Sequence, residues 1–180
     1  MDSRQRREYI KEILNNNYKP KKGKEFANKL GVTRQIIVKD IAILRASGLN
    51  IIATPEGYII PKDDKHLLEK IVAVCHNKDN IQEELQCIIN NGGIIKDIIV
   101  EHPLYGQIKS IIMVKTLYDV EKFIKKISNE KFEPLLSLTS GVHLHTIQYK
   151  NEKSIKEVIR KLKDKGYLME EWKVGLNEKE

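Results

Sequence analysis

The sequence predicts an α+β protein of two domains: a small helical domain closed by a β-hairpin, then a layered sandwich of helices on a sheet. Three observations carry this. Apolar residues recur at helical spacing in three short segments before residue 48, whereas later segments alternate strand-like and helical patterns. The polar stretch PKDDKH, residues 61–66, separates the two regimes and reads as a boundary. Charge divides at the same place. Residues 1–60 hold 12 Lys+Arg against 6 Asp+Glu, a balance of +6, while residues 61–180 hold 20 against 19, leaving +1 of the total +7. The expected domains are therefore residues 1–61 and 66–172, and the first is the one built to meet a polyanion.

In the first domain, Tyr9, Ile10, Ile13 and Leu14 share one helical face, and KGKEFANKL places Phe26, Ala27 and Leu30 on another. Gly31 ends that second helix and Thr33 is a suitable N-cap for a third, about 34–47, which Gly48 closes. The strand-like pieces LNIIA and YII, joined by the turn TPEG, form a hairpin. Around the third helix, Ile36, Ile37, Ile41, Ile43 and Leu44 cover one half, and Arg34, Gln35, Val38, Lys39, Ala42 and Arg45 fall on the other. A helix packed by one face and presenting Arg, Gln and Lys on the other suits the DNA major groove, where those side chains pair with base edges and phosphates. Thr33, Arg34, Gln35 and Lys39 are the expected contacts there, with Arg45 and the hairpin residue Tyr58 nearer the DNA backbone. An ordinary solvated helical face is the plainer reading; the charge excess, the short turn and the hairpin weigh against it.

The second domain reads LEKIVAVC as a strand and DNIQEELQCIINN as a helix ended by Gly92-Gly93. IIKDIIVEH and QIKSIIMVK are strands joined by the turn Pro103-Leu104-Tyr105-Gly106. LYDVEKFIKKISNE is a helix, EPLLSLTSGVHLHTIQYK one or two strands, and NEKSIKEVIRKLKDKGYL a final helix. The succession β-α-β-β-α-β-α is that of a ferredoxin-like sandwich.

The chemistry of this domain lies in its histidines. His143 and His145 stand two apart on a strand and so share a face, about 7 Å apart at their Cα atoms. His76 ends the domain's first strand, and Glu83 and Glu84 begin the following helix. If the last strand lies beside the first, three imidazoles and a carboxylate converge, a donor set suited to zinc, nickel, iron or manganese. Cys75 faces the other side of its strand, and Cys75 and Cys87 form no CxxC, so both are expected to be reduced thiols. His66 is expected at the surface. No nucleophile–base pair stands out, which argues against an enzyme. No apolar run is long enough to span a bilayer and MDSRQRREYI lacks a signal-peptide core, so a cytoplasmic location is expected.

Two resemblances sharpen these expectations. GKEFANKLGVTRQIIVKDIAILRASGLNIIATPEGYII resembles the winged helix-turn-helix of bacterial regulators of the biotin-repressor type, whose recognition helix begins at TRQ. AVCHNKDNIQEEL, NNGG, IIVEHPLYGQI and GVHLHTI together resemble the three-histidine, or 3H, domain. That domain follows a winged helix in the nicotinate-responsive repressors of NAD biosynthesis and niacin uptake in low-GC Gram-positive bacteria, and the match covers essentially the whole chain. It implies one divalent transition metal per chain held by His76, Glu84, His143 and His145, with Glu83 a second acid beside the expected ligand. It also implies a homodimer assembled through the 3H domain, operator DNA as partner, and nicotinic acid as corepressor. Within that picture His102 is either a turn residue bonded to backbone or, with Tyr105, a wall of the effector pocket. Tyr167, Leu168 and Trp172 are packing or dimer contacts. A regulator that senses the metal itself is the alternative.

Overall fold

In the computed structural model, which describes residues 1–61, 66–130 and 133–169, the chain divides into two units between Lys65 and His66. The first holds three helices and a hairpin: α1 (Ser3–Asn16), α2 (Gly23–Leu30), α3 (Arg34–Ala46), β1 (Ile52–Thr54) and β2 (Gly57–Ile59). Asp2 starts α1 through a capping box, its carboxylate accepting from the amides of Arg4 and Gln5 while its own amide donates to the Gln5 side chain. Gly31 ends α2 in the left-handed region, and the Thr33 hydroxyl accepts from the Ile36 amide to start α3. Ile10, Leu14, Phe26, Ala27, Ile37, Ile41, Leu44 and Ile51 form one core.

The buried stripe of α3 is narrower than its sequence suggests. Ile37, Asp40, Ile41 and Leu44 face inward at spacings of three, one and three, whereas Ile36 and Ile43 are exposed. Asp40 occupies an inward position because two arginines of α1 meet it: Arg6 Nε lies 2.5 Å and Arg7 Nη1 3.5 Å from its carboxylate oxygens.

The second unit runs β3 (Leu68–Cys75), α4 (Ile81–Asn90), β4 (Ile94–His102), β5 (Gly106–Val114), α5 (Leu117–Glu130), β6 (Val142–Tyr149) and α6 (Glu152–Asp164). A 3-10 turn, Lys78–Asn80, leads into α4, and another, Leu135–Thr139, precedes β6. EPLLSLTSGVHLHTIQYK thus holds a 3-10 turn and a single strand. Ser140 and Gly141, both with positive φ, separate the two. Helix α6 likewise stops before Gly166, also at positive φ, and the residues after it run beside β3. The Cys75 amide donates to the Tyr167 carbonyl and the Met169 amide to the Ala73 carbonyl.

The four strands are antiparallel in the order β3-β6-β4-β5. The α+β class and the adjacency of first and last strands match the expectation. A ferredoxin-like sheet, however, puts its first strand inside and its last at an edge, and here β3 is at the edge and β6 inside. Composition explains this: β3 opens with exposed Glu69 and Lys70 after Leu68, and β5 carries exposed Gln107 and Lys109, polar residues that blunt an edge. β6 is buried at five of its eight positions and β4 at four of nine, as inner strands should be. The core joins Val72 and Val74 of β3 and Ile147 of β6 to Leu85 and Ile88 of α4, Val120 of α5 and Ile155, Val158 and Leu162 of α6.

Candidate metal centre and nucleic-acid interface

The antiparallel register sets His143 opposite Val74 and His145 opposite Val72, and the His76 amide donates to the Gly141 carbonyl at 3.3 Å. All three histidines therefore lie in one row of the helix-covered face. Glu84 reaches them from above because it stands in the inward stripe of α4 with Ile81, Leu85 and Ile88. His76 Nε2 is 2.8 Å and His143 Nε2 3.5 Å from Glu84 Oε2, and His145 Nε2 is 3.2 Å from Oε1. Donor atoms of His76, Glu84 and His143 all lie within 4.8 Å of one another. Exposure is 8% for His76, 1% for Glu84, 1% for His143 and 2% for His145.

The other ring nitrogens decide what the cluster can hold. His76 Nδ1 lies 2.7 Å from the Asn77 carbonyl, His143 Nδ1 2.8 Å from that of Gly141, and His145 Nδ1 2.7 Å from that of Asp97. A carbonyl only accepts, so each Nδ1 carries a proton and each Nε2 is turned on the carboxylate. Where these rings are neutral, lone pairs face lone pairs at these distances and need a cation, a proton or a metal ion, between them. One proton serves the His76–Glu84 contact. Glu84 Oε1 and the Nε2 atoms of His143 and His145 are buried without a hydrogen-bond partner. Burial pushes the Glu84 carboxyl up, but the Coulombic pull of His145, with the other two imidazoles beside it, outweighs burial and holds Glu84 well below the usual carboxylate range. Burial depresses His76 and His145, and Glu84 more than reverses this in both, raising them. The cluster thus favours positive charge at its centre, and backbone-anchored imidazoles with a carboxylate are the donor set of a divalent metal site.

Glu83 does not join the cluster. Off the inward stripe, it meets Lys165 Nζ and the Tyr167 hydroxyl, and these hydrogen bonds, that from Lys165 foremost, pull its carboxyl below the usual range. Burial, with Glu83 beside it, pushes the Tyr167 hydroxyl up to about 12. Sequence reasoning missed that the Tyr167 ring sits against His76, with centroids 5.0 Å apart. It also missed Asp97, because β4 carries Lys96 and Glu101 as well and nothing in the sequence marks which of these charges is buried. Tyr167 and Leu168 are packing residues, as expected; Trp172 lies outside the described residues. His66 is exposed and Cys75 faces away from the cluster. His102 Nδ1 accepts from the amides of Leu104 and Tyr105, the turn role considered for it, and Tyr105 is exposed against its ring. None of their described contacts reaches the histidine cluster. A cavity of about 430 Å³ opens beside α4, lined by Lys78, Ile81, Gln82, Ile124, Glu133 and Pro134, and neither residue lines it.

In the first unit, Arg34, Gln35, Val38, Lys39 and Ala42 lie exposed along one side of α3, and Arg34, Gln35 and Lys39 make no side-chain hydrogen bond or ion pair among the described residues. Thr33 is engaged as the N-cap. Arg45 is partly committed: its Nε donates to the Ile51 carbonyl at 2.7 Å, tying α3 to the hairpin. Tyr58 exchanges main-chain hydrogen bonds with Lys21, both 2.9 Å, and its ring lies over Gly23, so it anchors the hairpin as much as it faces outward.

A helix-turn-helix with a free basic face, joined to a domain that gathers three imidazoles on a carboxylate, defines a DNA-binding regulator. Residues 6–59 match an HTH domain model and residues 69–171 the 3H domain model. The chain is 47% identical over 162 residues to "Probable transcription repressor NiaR" of Thermotoga maritima, covering 90% of this chain and 92% of that protein. It is 37% identical over 169 residues to "Transcription repressor NadR" of Bacillus subtilis, covering 92% and 94%. The chain belongs to this family of transcription repressors, in which an HTH domain precedes a 3H domain.

Proposed function

We propose that this chain represses transcription by binding operator DNA as a homodimer, with nicotinic acid as corepressor acting at the 3H centre, and so controls genes of NAD biosynthesis or niacin uptake. The observation that carries the reading is the convergence of three Nε2 atoms on the buried Glu84 carboxylate, with every Nδ1 tied to a backbone carbonyl. His76, Glu84, His143 and His145 would hold one divalent zinc, nickel, iron or manganese ion. Bound there, the ion supplies a Lewis-acidic position for a ring nitrogen or carboxylate of the effector. The chain's residues do the rest: the carbonyls of Asn77, Gly141 and Asp97 orient the imidazoles, and Arg34, Gln35 and Lys39 meet the bases. Coupling requires that the effector prefer the dimer arrangement that fits the operator.

Operator titration tests this. Nicotinate should tighten binding to metal-loaded protein by about 1–3 kcal/mol, nicotinamide should do less, and chelation should abolish the effect while leaving weak, salt-sensitive binding. An equal nicotinate response in metal-free protein would refute the coupling. The near-complete burial of the four ligand residues favours a second reading, in which the metal is itself the signal. Chelation would then change operator affinity with nicotinate making no difference.

A further inference from the structure

We infer that Asp97 is the positioning residue of His145, and that the bulge in β4 exists to let it act. What the positioning serves rests on the metal reading above; the geometry stands on its own. His76 and His143 take their Nδ1 acceptors from one and two residues away, so local chain geometry sets them. His145 alone takes its acceptor from another strand, 48 residues away in sequence.

That carbonyl is available because the ladder is interrupted. Ile95 pairs with Ile147 and Asp97 with Thr146, two steps on β4 for one on β6, and β5 answers with Met113 at φ 51°. The Asp97 carbonyl accepts from His145 Nδ1 at 2.7 Å, and its side-chain Oδ1 accepts from the Thr146 amide at 3.0 Å. One residue thus grips two successive residues of β6, by main chain and side chain in turn. Its second oxygen lies 2.8 Å from Lys109 Nζ. The carboxylate is 0% exposed in a strand whose other buried positions are Ile95, Ile99 and Val100, a burial that is costly and that a regular ladder would not need. Without it the Thr146 amide is a buried donor with no acceptor. The strand relieves that by returning to a regular register, in which the carbonyl of residue 97 is drawn from His145 to the ladder.

Four proteins decide it: wild type, Asp97→Ala, Asp97→Asn, which keeps an acceptor for the Thr146 amide, and Thr146→Val as a repacking control. The first readout is the His145 ring tautomer, from nitrogen-15 spectra of metal-free protein at mildly alkaline pH. The second is Zn²⁺ affinity by chelator competition. We expect wild type, Asp97→Asn and Thr146→Val to keep a single Nδ1–H tautomer. Asp97→Ala should show a mixture and bind Zn²⁺ about 10–100-fold more weakly. If Asp97→Ala does not fold, Asp97→Val, suited to a regular strand, takes its place. A single Nδ1–H tautomer in the folded Ala or Val protein, or equal loss in Asp97→Asn, overturns the inference. Wild type that binds no Zn²⁺ would end the metal reading and leave the inference to the tautomer comparison.

Discussion

Exchanging Glu84 for Gln keeps the side chain's shape but leaves three imidazole nitrogens facing a neutral amide. Zn²⁺ affinity should fall by more than the roughly 10–100-fold that loss of an outer-shell partner costs, and chelator competition measures it. Glu83→Gln should leave affinity nearly unchanged, because Glu83 is committed to Lys165 and Tyr167. The sequence pointed to Glu84 only through the family resemblance and left Glu83 open beside it; in the structure the inward stripe of Ile81, Leu85 and Ile88 includes position 84 and omits 83. The two-residue spacing of His143 and His145 was plain from the start. Asp97 and Tyr167 were not, because one depends on a strand bulge and the other on where the chain runs after α6.

At the scale of elements, the turn into β6 carries a sharp constraint. A Cβ on Gly141 would lie 2.3 Å from the His76 carbonyl oxygen, and φ there is +95°. Gly141→Ala should cost about 1–3 kcal/mol in a denaturant melt and weaken metal binding, since the Gly141 carbonyl holds His143. On α3, Asp40→Ala leaves Arg6 and Arg7 facing an empty, half-buried site; a loss of about 2 kcal/mol is expected by thermal or denaturant unfolding. The helical wheel placed Arg34, Gln35 and Lys39 outward correctly but counted Ile36 and Ile43 as buried. It could not foresee that an aspartate would take an inward position, because the compensating arginines lie on another helix. Arg34→Ala or Gln35→Ala should each cost about 1–3 kcal/mol of operator affinity and relax specificity at one base pair, read by binding to single-substitution operators.

For the whole molecule, the charge asymmetry legible in the sequence predicts steep salt dependence of DNA binding, which removal of a phosphate-contacting lysine would flatten by about one unit of slope. The two-domain order and the βαββαβα succession were also legible. The position of β6 inside the sheet was not, since strand order is decided by which strands can tolerate an edge. That position has a consequence for how the protein is made. His76 and Glu84 come early in the second unit and His143 and His145 late, so the four meet only when β6 inserts between β3 and β4. The first unit has its own core, drawn from residues between Ile10 and Ile51. Tyr167, against His76, leaves the ribosome about a hundred residues later, a delay on the order of 5–20 s at ordinary rates of synthesis. During that interval a nascent chain carries the helix-turn-helix without the assembled histidine cluster. Ribosome-bound chains arrested after about residue 120, long enough to expose the first unit, should retain weak DNA affinity and take up no metal.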